Sequence, residues 1–504
     1  MIKNIKWLLL VSLSFVACND DDAVSEEPVS AGSANFSKYV ALGDSFAAGF
    51  SDGALFKKGQ QNGYPSLLAQ QFAQVGGGSF SAPLCGDDNK GGLLFMGVPI
   101  QGTRLYFNGV GPVPVPGLPV TEVTNHVTGP ISNLGVPGAK SFHLLAAGYG
   151  NPAGVPGGLA NPYFARFASS PSTSIIADAL TQQPTFFSLW IGGNDVLSYA
   201  TSGGIGVDQT GNPNPATYGP NDITDPTAFN SVYNGLVTQL VAGGKKGVVA
   251  NLPYINTLPY FTTVPTNPVP LDVATATQLN TQLLGPIDAI LTAYGEGARI
   301  VTLSAGSTNP LLIKDESLTN YSAQITGALM ANGVPAAQAG LMGGLYGQAR
   351  HARNTGDRDF VVLPTRSIIG TSQAGVPAPF DKVGVTYPLQ DKDVLIPSET
   401  NAIKTATDAY NVTIKNAAEA NDLAFFDAKS VMEQLVNGGI RFGNYHMTAA
   451  YVTGGAFSLD GIHPGARGYA MIANKFLEAI NAKYGSTFRP IDLGNYQIQY
   501  PASL

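Results

Sequence analysis

The chain has 504 residues, of which 44% are apolar and 12% charged, with a net charge of −7. An apolar-rich chain of this kind has ample material for a core, which excludes global disorder, and an acidic balance with no basic cluster excludes a nucleic-acid footprint. Its 60 glycines and 35 prolines point to many turns and long ordered loops, not to a helical bundle.

Lys3 and Lys6 precede the apolar run Trp7 to Val16, which ends at Ala17-Cys18. A basic start, a short apolar stretch and a small exit residue predict an export signal over 1–17. The run is shorter than the ~20 apolar residues of a spanning helix. Phe15-Val16-Ala17-Cys18 resembles a bacterial lipobox, with Phe15 where Leu is usual; the resemblance implies cleavage before Cys18 and its lipidation. A lipidated Cys18 could not pair with Cys85, the other cysteine, so no intrachain disulfide is expected, although the compartment would permit one. Asn19-Asp20-Asp21-Asp22, Glu26-Glu27 and a Ser/Ala/Gly-rich stretch to Asn35 predict a solvated acidic tether over 18–36. It resembles the acidic start of surface-displayed bacterial lipoproteins. An exported outer-membrane or cell-surface location follows, with the membrane contacted through the lipid anchor and the membrane face left open.

From Lys38 the character changes. Lys38 to Leu42 is a short apolar run ending at Gly43, which predicts a buried strand feeding a turn. Similar runs follow at Thr185 to Ile191, Gly247 to Leu252, Ala298 to Leu303 and Leu423 to Asp427. Helical spacing marks Tyr64 to Val75, Asp225 to Ala242, Asp272 to Tyr294, Asn401 to Asn421 and Gly465 to Tyr484. Short apolar strands alternating with helices predict an α/β fold with a mostly parallel sheet covered on both faces. Three stretches break the alternation and read as loop insertions near 85–130, 200–224 and 305–395. The last holds a predicted helix around Leu318 to Leu329 and a flexible apolar Gly/Ala/Met segment, and could also be a separate domain. Asp87-Asp88-Asn89 lacks the further ligands of a calcium loop and reads as a solvated turn.

Four motifs carry chemistry. Gly43-Asp44-Ser45-Phe46 places a serine after a parallel strand, where open α/β sheets hold their sites. Alone, it reads more readily as a helix N-cap. Ser458-Leu459-Asp460-Gly461-Ile462-His463-Pro464 precedes the last helix; a serine nucleophile needs a base, and the base needs a carboxylate to hold its tautomer. Alone, this is equally a helix-entry turn. Gly192-Gly193-Asn194-Asp195 follows a predicted strand and offers a side-chain amide to an oxyanion, or is an ordinary turn. Asn133 to Ser141 contains Gly138, whose N–H could join that amide. His126, His143, His351 and His446 lack a carboxylate at comparable spacing.

Taken in order, these motifs resemble the SGNH/GDSL hydrolases. Tyr39 to Ser45 is similar to their first block, Gly138 to the second, Gly192-x-Asn194-Asp195 to the third and Asp460-x-x-His463 to the last. Phe46 stands where Leu is commoner. The resemblance implies a flavodoxin-like three-layer α/β/α sandwich over 37–490. It also implies Ser45 as nucleophile, His463 as base and then acid, Asp460 orienting His463, and an oxyanion hole from the N–H groups of Ser45 and Gly138 and the Asn194 amide. No metal or cofactor is implied. The activity implied is hydrolysis of carboxylic esters through an acyl-enzyme, as an esterase or lipase. A carbohydrate O-deacetylase acting on an acylated glycan, an acyltransferase and a non-catalytic surface-binding lipoprotein remain open, as does the oligomeric state. Leu318 to Leu329 and Gly340 to Tyr346 could cap an acyl pocket or simply pack on the sheet.

Overall fold

The computed structural model describes residues 28–86 and 89–504. The export signal, Cys18, most of the expected tether, Asp87 and Asp88 lie outside the described residues.

Five strands form the central sheet: β1 (Tyr39–Gly43), β2 (Asn133–Gly135), β3 (Phe186–Trp190), β4 (Lys246–Ala250) and β5 (Ala424–Phe426). All are parallel, in the order β5-β4-β3-β1-β2. This is the flavodoxin-like order 2-1-3-4-5. Every residue of β1 and β3 is buried. A strand covered on both faces cannot alternate apolar with polar, which is why these segments read as continuous apolar runs. Gly43 lies opposite Gly135 on one side and Trp190 on the other, so β1, β2 and β3 end level at one edge.

The helices that position the site or its surroundings are, in chain order, α1 (Ser45–Ala48), α2 (Tyr64–Phe72), α3 (Asn194–Thr201), α4 (Pro226–Val241), α5 (Ser322–Ala331), α6 (Ala336–Tyr346), α7 (Pro397–Ala420) and α8 (Ala466–Tyr484). On one face of the sheet, Tyr64 of α2 stacks on Phe476 of α8 at 4.7 Å, and Trp190 and Phe426 meet the same Phe476 ring. On the other face, Phe229 of α4 stacks on Tyr410 of α7 at 4.1 Å. Each buried ring is worth about 1.5–3 kcal/mol. The result is the expected three-layer α/β/α sandwich.

The boundaries differ from the expected ones at both ends. The tether does not run free to residue 36. Ser33 N donates to Tyr484 O and Thr487 N to Ser30 O, while Phe36 is buried against Phe72, Phe186 and Phe488. An aromatic with three aromatic partners is worth more in the core than in a solvated linker. The fold likewise continues past 490, because Tyr500 is buried against Phe56 and its hydroxyl accepts from Asn62 Nδ2.

The third insertion is larger than expected. It begins near Val264 and ends at Ile396, and it holds two apolar clusters of its own. The segment Ala298 to Leu303 is not a strand: Ile300 and Leu303 bury in this insertion, and Val301 N bonds to His351 Nδ1 instead of a sheet neighbour. Asp272 to Tyr294 is helical, with an internal π-turn over Leu279–Leu284, but it does not cover the sheet. Its Leu283, Ile287 and Leu291 pack with Ile325 and Leu329 of α5 and Met342 of α6. Periodicity marks an apolar face without saying which other face covers it. The Gly340 to Tyr346 segment is ordered as part of α6, with Met342, Gly343 and Tyr346 buried, and Leu318 precedes α5 instead of joining it. The first insertion forms two hairpins, Leu93–Phe95 with Val98–Gln101 and Leu105–Phe107 with Pro112–Pro114.

Candidate active site

The sheet's topological switch lies between β1 and β3, where crevices form outside the strand ends. The loops after β1, β2 and β3 meet there. Asp44 caps α1, its Oδ1 accepting Phe46 N at 3.0 Å, and Ser45 is the first helical residue. Gly43 permits this turn: a Cβ there would lie 2.3 Å from Trp190 O. Val136 N donates to Gly43 O, joining the second loop to the first. Asp195 joins the third loop to the second, because its carboxylate accepts both Ser141 N (2.8 Å) and Ser141 Oγ (2.7 Å). Burial raises the Asp195 pKa against the pull of these two bonds.

The fourth segment arrives from just before α8. His463 Nε2 lies 2.8 Å from Ser45 Oγ, and His463 Nδ1 lies 2.9 Å from Asp460 Oδ2. Asp460 Oδ2 also accepts Gly53 N (2.9 Å), and Oδ1 accepts Ser458 Oγ, Ile462 N and His463 N. Burial alone would raise the Asp460 pKa, but His463 and these donors outweigh it and hold it below the usual carboxylate range. Asp460 therefore stays ionised and accepts the imidazole N–H, leaving Nε2 free to take a proton from Ser45. The rings of Phe46 and Phe50 flank His463 at 5.4 and 4.6 Å. Phe46 also meets Trp190 at 5.0 Å and lines a small apolar cavity of ≈ 50 Å³ with Phe426 and Met471.

The three expected oxyanion donors come from the converging loops. The Ser45 N–H opens α1 and has no helical acceptor. Gly138 adopts φ 80, and its N–H donates to no acceptor among the described residues. Asn194 opens α3, and its Nδ2 donates one hydrogen to Ala139 O at 3.0 Å, which pins the amide beside Gly138 and leaves the second hydrogen available. The other four histidines are tied to backbone: His126 to Ala168 O, His143 to Lys140 N, His351 to Val301 N and His446 to Gly438 O.

One contributor was not singled out in the sequence. The segment Ser51-Asp52-Gly53 clasps the Ser458–Pro464 loop at several points. Ser51 Oγ donates to Pro464 O, Asp52 N to Ser458 Oγ, Gly53 N to Asp460 Oδ2, and Asp52 Oδ1 accepts Leu459 N at 2.8 Å. Asp52 is buried at φ 52, and its Oδ2 makes no hydrogen bond among the described residues. Burial, with the Asp460 charge beside it, pushes Asp52 up to about 7; burial also pushes Asp44 up to about 7. A positive φ at a non-glycine residue was the missing signal, and no sequence pattern displays it.

Beside Asp460 opens a cleft of ≈ 550 Å³. Leu105, Val110 and Pro112 of the first insertion form one wall, and Tyr260, Leu363 and Arg366 another. The two segments left open between capping an acyl pocket and packing on the sheet, Leu318 to Leu329 and Gly340 to Tyr346, are absent from its lining and pack on each other.

No protein-family model matches the chain, and no curated protein matches it. Among solved structures, an alpha/beta hydrolase enzyme from the metagenome of Lake Arreo, Spain, is similar over 89% of this chain and 96% of its own, at 12% identity and a TM-score of 0.33. A likeness that remote leaves the functional argument to this chain's own geometry.

Proposed function

We propose that the protein is a serine hydrolase of carboxylic esters, working through an acyl-enzyme on Ser45. The observation that carries this reading is the unbroken relay of two hydrogen bonds, Ser45 Oγ to His463 Nε2 and His463 Nδ1 to Asp460 Oδ2. Ser45 Oγ attacks the ester carbonyl while His463 Nε2 takes its proton. The carbonyl oxygen, now an anion, is met by the N–H groups of Ser45 and Gly138 and the second Asn194 hydrogen; one such donor is worth roughly 2.7–4 kcal/mol in the transition state. Collapse expels the alcohol, which takes the proton from His463. Water then repeats the sequence on the acyl-enzyme and frees the acid.

The apolar wall formed by Leu105, Val110 and Pro112 favours an ester with an apolar substituent over a small acetylated glycan. Export and lipidation at Cys18 remain part of the proposal on the residues of the first eighteen positions. Among the described residues no helix is long and apolar enough to cross a membrane. The test is hydrolysis of p-nitrophenyl esters from acetate to palmitate, with Ser45→Ala as control. Turnover that vanishes in the variant and rises with acyl length supports the reading. Turnover restricted to acetate turns it toward deacetylation, and none on any ester removes it.

A further inference from the structure

The cleft beside Asp460 is apolar on one wall, and its opposite wall carries a charge that the ester chemistry does not use. Two charged residues line it, Asp460 and Arg366. Asp460 is engaged within its own loop, where its oxygens accept His463 Nδ1, Gly53 N, Ser458 Oγ, Ile462 N and His463 N. Arg366 is exposed and forms no ion pair and no hydrogen bond among the described residues. Elsewhere the protein satisfies its guanidinium groups internally: those of Arg104, Arg299, Arg350 and Arg467 all bond protein oxygens.

Arg366 stands on a fixed base. It lies in the 3-10 turn Leu363–Ser367, where Thr365 is buried, Thr365 N donates to Val362 O and Thr365 Oγ1 donates to Asp393 O at 3.2 Å. The turn is seated on the loop that carries the relay. Tyr260 N donates to Gly461 O at 2.9 Å, and a Cβ on Gly461, which adopts φ 74, would lie 3.2 Å from Leu363 Cδ2. Tyr451 closes the same corner, its hydroxyl donating to Leu459 O at 2.6 Å. Burial pushes that hydroxyl up to about 12; the Asp460 charge adds to the rise and the Arg366 charge opposes it, so both charges act at one corner of the cleft. The planar fork of a guanidinium matches the oxygens of a carboxylate or a phosphate. A low-dielectric wall opposite focuses its field. The chain as a whole is acidic, at −7, so no general attraction for anions stands in for this local one.

We propose that the cleft selects esters carrying an anionic oxygen group, a carboxylate or a phosphate, beside an apolar chain, and that Arg366 is the residue that selects them. The inference rests on the ester-hydrolase reading and names the substrate class of that same site. Leu105, Val110 and Pro112 take the chain, and the Arg366 guanidinium takes the anion. Arg366 bonds to no member of the relay, so its role is specificity and not chemistry. The anion belongs to either the acyl or the alcohol half of the ester.

The test compares kcat/KM within two matched pairs of esters. Mono-p-nitrophenyl adipate against p-nitrophenyl hexanoate places a carboxylate or a methyl group at the end of the same acyl chain. The hexanoate ester of p-hydroxybenzoate against that of p-hydroxybenzamide places a carboxylate or a neutral amide on the alcohol. The anionic-to-neutral ratio of at least one pair is expected to fall about tenfold in Arg366→Gln and to recover in part in Arg366→Lys. The ratio cancels the intrinsic reactivity of each ester, and it cancels the general loss of activity that a purely structural role of Arg366 would produce. The pair that responds shows which half of the ester carries the anion. Ratios that stay within about twofold of the parent in both pairs overturn the inference. The hydrolase reading survives that outcome if the parent turns over the neutral esters and Ser45→Ala does not. If no ester is turned over, the hydrolase reading falls and binding decides. Octyl phosphate, kept below its micellar range, should then bind Ser45→Ala about tenfold more tightly than Ser45→Ala/Arg366→Gln by titration calorimetry. Equal affinities would overturn the anion site as well.

Discussion

The edge of the sheet that holds Ser45 and the insertion that spans 264–396 handle buried charge in opposite ways. At the sheet edge, Asp44, Asp52 and Asp195 are buried and Asp460 is half-buried beside them, and backbone or hydroxyl donors and one histidine hold them. In the insertion, Arg350 spans Asp315 and Asp359 in a fully buried ion-paired triad. The first arrangement leaves groups poised to exchange protons, and the second fixes them. Perturbed carboxyls gather at the candidate site, whereas the paired ones hold the insertion rigid.

The largest expected effect comes from Ser45→Ala at the sheet edge. It should lower kcat by roughly 10⁶-fold with an unchanged Tm, as loss of a relay member does elsewhere. A residual rate within tenfold of the parent would remove Ser45 from the chemistry. Next, Asn194→Ala should cost about 10²–10³ in kcat. Its KM should move little, because the second amide hydrogen serves the transition state and not the bound ester. Steady-state kinetics on one p-nitrophenyl ester separates the two constants.

The third prediction moves to the insertion. Arg350→Met leaves two buried carboxylates without their partner and should cost about 3–5 kcal/mol, read as a lower denaturant midpoint. The kcat of the remaining folded protein should stay near the parent value, since Arg350 touches no member of the relay. Asp52→Gly should do the reverse. Glycine relaxes the backbone at φ 52, so stability should hold to within about 1 kcal/mol. The lost bond to Leu459 N frees the loop carrying Asp460, so kcat should fall about 10- to 100-fold. Asp52→Asn, which keeps the acceptor, should recover most of it. If Asp52→Gly unfolds the protein and leaves kcat intact, the clasp is only structural.

The smallest effect concerns pH. Burial pushes the Asp44 and Asp52 carboxyls up to about 7, above the ordinary carboxylate range. A raised carboxylate contributes stability that is fully present below pH ~4 and is lost as pH rises through ~7. Asp460 runs the other way, its stabilisation fading as pH falls below the ordinary carboxylate range. The unfolding midpoint should therefore decline between pH ~4 and ~7 and level off above, and Asp52→Asn should flatten part of that decline. A midpoint that rises across this window in the parent would refute the assignment.

Much of this was legible beforehand because the deciding signals are local. Apolar runs without alternation gave β1, β3, β4 and β5, since strands covered on both faces leave no polar positions. The edge strand β2 has three residues, too short for a run to register. Ser45, Gly138, Asn194, Asp460 and His463 stand in short motifs, and the structure brings all five to one strand edge. The run Ala298 to Leu303 and the helix at 272–294 misled for a common reason: an apolar pattern declares that a segment is buried, not what buries it.

The strand-forming runs, the helix phases, the glycine turns and the residues of the candidate site could all be read along the chain, because each depends on a handful of neighbouring residues. What joins across the chain emerges from packing in three dimensions. Asp52 braces a loop about four hundred positions away. Phe36 and Tyr500 draw both ends of the described chain into the fold, and Glu316, Asp391 and Glu399 are brought together from three segments. Such contacts are set by how layers pack and loops cross, and no periodicity or spacing along one chain records them.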